Sequence, residues 1–114
     1  MSIDDLVQAS VRSPISTMDF EVCCSRNEWS PVQCFDRFAE HVVSLFRSAS
    51  MPWRDADAAM NHAFGHAHAV LFTGFSPYAS TVYEAFDQAE TAAPGEQEQV
   101  TKLLLMNVDE IERT

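Results

Sequence analysis

The sequence predicts an all-α fold: a single-domain bundle of four to five amphipathic helices, with a packed irregular segment near residues 13–29. Three observations carry this. Apolar residues recur at i, i+3, i+4 and i+7 over four long stretches. Ser-Pro steps stand at the start of two of them, where serine caps a helix and proline opens it. Strand-like alternation is confined to one short segment, and a single strand has nothing to pair with.

The elements follow in chain order. A short helix is expected at roughly 3–11. "MDFEVCCS" at 18–25 alternates for a few residues and is assigned to a packed loop. "SPVQ" at 30–33 starts the next helix, with Ser30 as N-cap, Pro31 at the first helical position and Gln33 closing a capping box. Over 31–49, Val32, Phe35, Phe38, Ala39, Val42, Leu45, Phe46 and Ala49 form the inward stripe. Pro52 opens a helix over 53–72, with Asp55 and Asp57 in its first turn, where acids favour the helix dipole. Its stripe is Trp53, Ala56, Met60, Ala63, Phe64, Ala67 and Leu71. Gly74 and "PG" at 94–95 mark stops. "SPYA" at 76–79 repeats the serine cap and proline, opening a helix over 77–90 with Tyr78, Ala79, Val82, Phe86 and Ala89 inward. A last helix over 97–112 would bury Val100, Leu103, Leu104, Val108 and Ile111.

A chain of 114 residues is one domain on size, long enough to bury a core without metals or disulfides. No apolar run approaches the ~18–20 residues of a membrane span. "MSIDDLVQASVR" carries aspartates where a secretory signal carries basic residues, so a cytoplasmic location is expected. The three cysteines, Cys23, Cys24 and Cys34, lack the spacing of a disulfide framework or a zinc knuckle. With three glycines in all, there is no phosphate-cradling loop, and no nucleophile elbow. No catalytic residues and no cofactor are expected.

Charge is the strongest compositional signal. Seventeen acids face seven bases, for a net charge of −10. Residues 1–54 carry −2 and residues 55–114 carry −8, with no lysine or arginine between Arg54 and Lys102. Such a field repels nucleic acid and anionic membranes and steers basic partners inward. Acidity for solubility alone is the competing explanation.

"NHAFGHAHAV" at 61–70 holds three of the four histidines. At about 100° per residue, His62 and His66 lie about 40° apart with Asp55 between them, while His68 falls on the opposite flank. The three histidines therefore cannot converge on one ion. His62, His66 and Asp55 form a conceivable two-histidine, one-carboxylate edge, to which Cys34 and His41 of the preceding helix could add. The residues between the pair, Ala63, Phe64 and Gly65, supply no general base of the H-E-x-x-H kind. Gly65 in mid-helix costs about 1 kcal/mol relative to alanine, and admits a close neighbour or partner.

In "VYEAFDQAE" at 82–90, Tyr83, Asp87 and Glu90 share one border of the helix beside its buried face. A tyrosine with two acids suits a lysine or arginine side chain, through ring area and charge-assisted hydrogen bonds. A solvated helix flank has the same composition. "MPWRDADAAMN" followed by "SPYASTVYEAFDQAE" resembles small helical bacterial immunity proteins of polymorphic and contact-dependent toxin systems. In these a Trp-led helix precedes a Tyr-x-x-Ala-Phe-Asp-x-Gly-Glu-type segment. The resemblance covers residues 51–90, and Ala89 stands where the pattern has glycine. It implies a cytoplasmic antidote that binds a basic toxin domain and blocks it, with Trp53, Tyr83, Asp87 and Glu90 as the positions to watch. The neighbouring acids Asp55, Asp57 and Glu84 complete the candidate partner-binding set. The alternatives are a metal- or ligand-binding bundle on the His62/His66/Asp55 edge, or a helical adaptor or scaffold.

Overall fold

Serine caps set where most of the helices begin. Ser2 and Ser30 form reciprocal capping boxes with Asp5 and Gln33, and the side chains of Ser16 and Ser76 accept from Asp19 and Ala79 N–H. The computed structural model describes residues 1–70 and 74–113. Its elements are α1 (Ile3–Arg12), α2 (Thr17–Asn27), α3 (Pro31–Arg47), α4 (Trp53–Val70), α5 (Pro77–Ala89), α6 (Gln97–Leu104) and a 3-10 turn, Val108–Glu110. The all-α class holds, with six helices among the described residues rather than four to five and no strand. None of these helices is long and apolar enough to cross a membrane.

The irregular segment expected at 13–29 is largely helix α2, and this corrects the sequence reading. Phe20, Cys23 and Cys24 point inward at i, i+3 and i+4, whereas Val22 is 41% exposed. The Phe20–Val22–Cys24 alternation therefore marks no face. The helix ends at Glu28, whose backbone is left-handed (φ 57°) and whose N–H returns to the carbonyls of Cys24 and Ser25. Burial pushes the thiols of Cys23, Cys24 and Cys34 upward, so they serve as small apolar groups rather than as reactive thiolates.

The expected 97–112 helix is also corrected. It stops at Leu104 and resumes as the 3-10 turn. Thr101, Leu105 and Val108 face the core, while Leu103 and Leu104 are 57% and 41% exposed. The register turns on a polar contact. Trp53 Nε1 donates to the buried Thr101 hydroxyl at 2.7 Å, which in turn donates to the Gln97 carbonyl at 2.8 Å. A stripe counted from apolar residues alone misses a threonine satisfied in this way.

The other stripes hold with local exceptions. In α3, Phe35, Phe38, Ala39, Val42 and Phe46 are buried, Val32 and Leu45 sit at the border, and Ala49 lies exposed beyond the helix end. In α4, Ala56, Ala59, Met60, Ala63 and Ala67 are fully buried. Leu71, with the expected end of this helix at residue 72, lies outside the described residues. Helix α4 packs against α1, α3 and α5, and α6 covers α5. The C-terminal segment is clamped to α3. Arg47 reaches Asp109 at 2.7 Å and the Leu105 carbonyl at 2.8 Å, and Arg113 reaches Glu40 at 3.2 Å while lying 4.0 Å over the Tyr78 ring.

Helical packing of α2 gives a direct test. The Phe20 ring stacks on Phe35 at 4.6 Å and meets His66 edge-on at 4.9 Å. Phe20→Ala is expected to cost about 3–4 kcal/mol in urea unfolding, whereas Val22→Ala changes stability by about 0.5 kcal/mol or less. Comparable losses at both positions would restore the alternating reading.

Candidate functional site

Helix α5 is placed against α3 and α4 by two contacts. The Ser76 hydroxyl, its N-cap, donates to the buried carboxylate of Asp36 on α3. Farther along, the Tyr83 ring lies flat on Phe64 of α4, with centroids 3.9 Å apart and planes within 6°. Phe75 meets both rings edge-on. This aromatic clamp aligns the flanks of α4 and α5 and sets their acids side by side.

The result is an acidic seam. Asp57 and Asn61 come from α4, Tyr83 and Asp87 from the middle and last turn of α5, and Glu90 from its C-cap. Asn61 Nδ2 donates to Glu90 Oε2 at 3.3 Å. Asp57 is half-buried, and its Oδ1 is sealed from solvent with no hydrogen-bond partner. Burial first, then a hydrogen bond to Glu90 and repulsion from Glu90 and Asp87, push the Asp57 carboxyl up to about 7. Burial and these acidic neighbours thus favour the protonated form of the Asp57 carboxyl up to near neutrality. Burial and the same three acids also raise the Tyr83 phenol. Among the described residues, the ion pairs of Arg37, Arg47, Lys102 and Arg113 go to other acids, and none reaches Asp57, Asp87 or Glu90.

Of the seven partner-binding candidates, the fold brings together Asp57, Tyr83, Asp87 and Glu90. The other three lie elsewhere. Trp53 packs near Phe86 and holds Thr101, so it shapes the fold. Asp55 lines a groove with Gln8, Ala9, Val11 and Arg12 of α1. Glu84 lies on the opposite border of α5, near Leu104. Asn61 belongs to the seam and was missed. The signal for it was available, since Asp57 and Asn61 stand at i and i+4 on one helix. The buried Asp36, which anchors the α5 cap, carried no sequence signal.

The histidine edge separates. His62 donates Nδ1–H to the Ser10 carbonyl at 2.6 Å, and His66 packs against Phe20 and Phe35, its basicity lowered by burial. These two share a cleft that Asp55 does not line. Cys34 is buried in the core, His41 pairs with Asp4 at 2.7 Å, and His68 sits edge-on to Phe64. Among the described residues, no group of three or more histidine, cysteine or acidic side chains could hold a metal ion.

The seam has no nucleophile beside a base. The half-buried Asp57 and the exposed Asp87 and Glu90 offer hydrogen-bond acceptors and negative charge, and a perturbed carboxyl such as that of Asp57 is the kind that concentrates at functional sites. Because Asp57 in the folded protein titrates near 7, well above its unfolded value of 3.8, folding is favoured most when it is protonated. That contribution is present below about pH 4 and is lost as the pH rises toward about 7. Asp57→Asn should therefore raise stability more at pH 8 than at pH 5 in urea titrations, and an equal gain at both would rule out the raised Asp57 carboxyl.

No protein-family model, no curated protein and no solved structure matches the chain, so the functional reading rests on the seam's own chemistry.

Proposed function

We propose that the protein is an acidic binding protein whose α4–α5 seam receives a basic side chain of a protein partner, and that this partner is a toxin domain it neutralises. One observation carries the binding reading: Asp57, Asp87 and Glu90 are gathered at one seam, and no ion pair among the described residues neutralises them. A guanidinium placed there would relieve the repulsion between the acids. It would also donate to Asp57 and Glu90 in the paired geometry that carboxylates favour. Tyr83, already fixed by its stack on Phe64, supplies a rigid aromatic edge beside the charge.

The net charge of −10 adds steering. A partner with a cationic cleft would associate quickly at low ionic strength and more slowly as salt screens the field. Nuclease domains have such clefts, and an acidic bundle seated in one blocks access to the phosphate backbone. The likeness of residues 51–90 to helical immunity proteins is the reason for choosing a toxin over other basic partners. Seam residues Asp57, Tyr83, Asp87 and Glu90 would form the contact, with Asn61 orienting Glu90.

The test is co-expression with the product of the adjacent reading frame. Growth rescue and tight binding at low salt are expected, with affinity falling steeply as salt rises. Asp87→Asn combined with Glu90→Gln should weaken binding by about tenfold or more. If the neighbouring product is not bound at low salt, the toxin reading is abandoned.

A further inference from the structure

Gly65 sits in the middle of α4, on the exposed side of the helix. Neither packing nor backbone conformation within the chain calls for glycine there. Among the described residues, no atom beyond its chain neighbours and the adjacent helix backbone lies within 4 Å of where a Cβ would stand, and the residue is not among the glycines with positive φ. Its presence weakens the helix. No close neighbour among the described residues justifies it.

Above Gly65 lies a cleft of about 310 Å³, between α4 and the connection from α1 to α2. Gly65 and Ala69 form its floor and Pro14 and Ile15 its far wall, while Asn61, His62 and His66 close the rest. The lining is mostly apolar with a few polar groups, the usual make-up of a pocket for one bulky group. His66 packs against two phenylalanine rings, and burial lowers the basicity of its imidazole, which lessens its repulsion of a cation next door. Asn61 links the two features. It lines the cleft and donates to Glu90, which places the cleft and the acidic seam on either side of one residue.

We infer that the Gly65 cleft receives a bulky apolar or aromatic side chain of the partner, adjacent to the basic side chain taken by the seam. The recognised unit is thus an aromatic–basic pair, and the missing side chain at Gly65 lets a ring lie against the helix backbone. The inference rests on the proposed binding function and specifies what the partner must present. Seam and cleft divide the work: charge brings the partner in and sets its orientation, and burial of the ring slows its departure.

Blocked dipeptides separate these contributions. N-acetyl-Trp-Arg-amide and N-acetyl-Gly-Arg-amide are titrated at low salt, following the backbone amide shifts of Asn61 and Gly65. The tryptophan peptide should bind about tenfold more tightly, the effect of burying one aromatic side chain. Gly65→Leu fills the cleft and should remove that tenfold advantage while leaving the Gly-Arg affinity unchanged. Its melting temperature, which should rise because a helical glycine has been replaced, reports an intact fold. Asp87→Asn with Glu90→Gln should weaken both peptides. Equal binding of the two peptides, or an advantage that survives Gly65→Leu, overturns this inference and leaves the seam reading standing. Binding of N-acetyl-Trp-Glu-amide as tight as that of the Trp-Arg peptide, or no shift from any peptide, overturns both.

Discussion

The close approach of three helices to α4 is the constraint on which the rest of the structure depends. Ala56, Ala59, Ala63 and Ala67 run down its inner face with Met60, all of them fully excluded from solvent. Alanine contributes little apolar area of its own, so most of the buried area comes from the neighbours. Phe35, Phe38 and Phe46 of α3 and Tyr78, Val82 and Phe86 of α5 fill the space that the alanines leave. Once α1, α3 and α5 crowd in this closely, the flanks of α4 are drawn into the seams between helices. Polar residues beside the stripe then become half-buried: Asp57 against α5, His62 against the Ser10 carbonyl of α1, and His66 against Phe20 and Phe35.

The same geometry explains why the charge imbalance matters locally. Two arginines, Arg47 and Arg113, are engaged in clamping the C-terminal segment onto α3. The α4–α5 seam draws its side chains from 57–90, a stretch without any lysine or arginine. Solubility would be served equally well by acids scattered over exposed surface. It gives no reason to press three carboxyls together until one of them holds a proton near neutrality, nor to align them with a stacked tyrosine. Such an arrangement opposes folding at the pH where the protein would be expected to work, the usual pattern where stability is given up for a binding surface.

Most of the architecture was legible in the sequence because its signals were local. Ser30, Pro31 and Gln33 dictate a helix start whatever surrounds them, and the α3 and α5 stripes follow from spacing alone. The two misreadings arose where tertiary contacts decide. Helix α2 is short, and its inward residues, Phe20, Cys23 and Cys24, overlap a coincidental alternation that only packing against Phe35 resolves. The register of α6 is set by an indole N–H from α4 reaching a threonine, a partner 48 residues away that no periodicity contains. The site was legible in half. Wheel geometry put Tyr83, Asp87 and Glu90 on one border, but it could not show that Asp57 and Asn61 face them across a helix contact. Nor could it show that Asp55 turns toward α1 and Glu84 toward α6.

Asp57 joins the energetics of the free protein to those of the proposed complex. Its raised pKa comes first from burial, which leaves one oxygen without a partner, and then from its neighbours Glu90 and Asp87. In the proposed complex, a cation in the seam would oppose the repulsion from Glu90 and Asp87 and offer that oxygen a donor. The carboxyl then ionises readily, and a proton is released whenever the free protein still carries it. If the cation lowers the Asp57 pKa, linkage requires that its binding strengthen as the pH rises through neutrality. The seam is unfavourable for the chain alone, and the proposed basic partner would offset that cost, an asymmetry that a purely structural cluster of acids would not need.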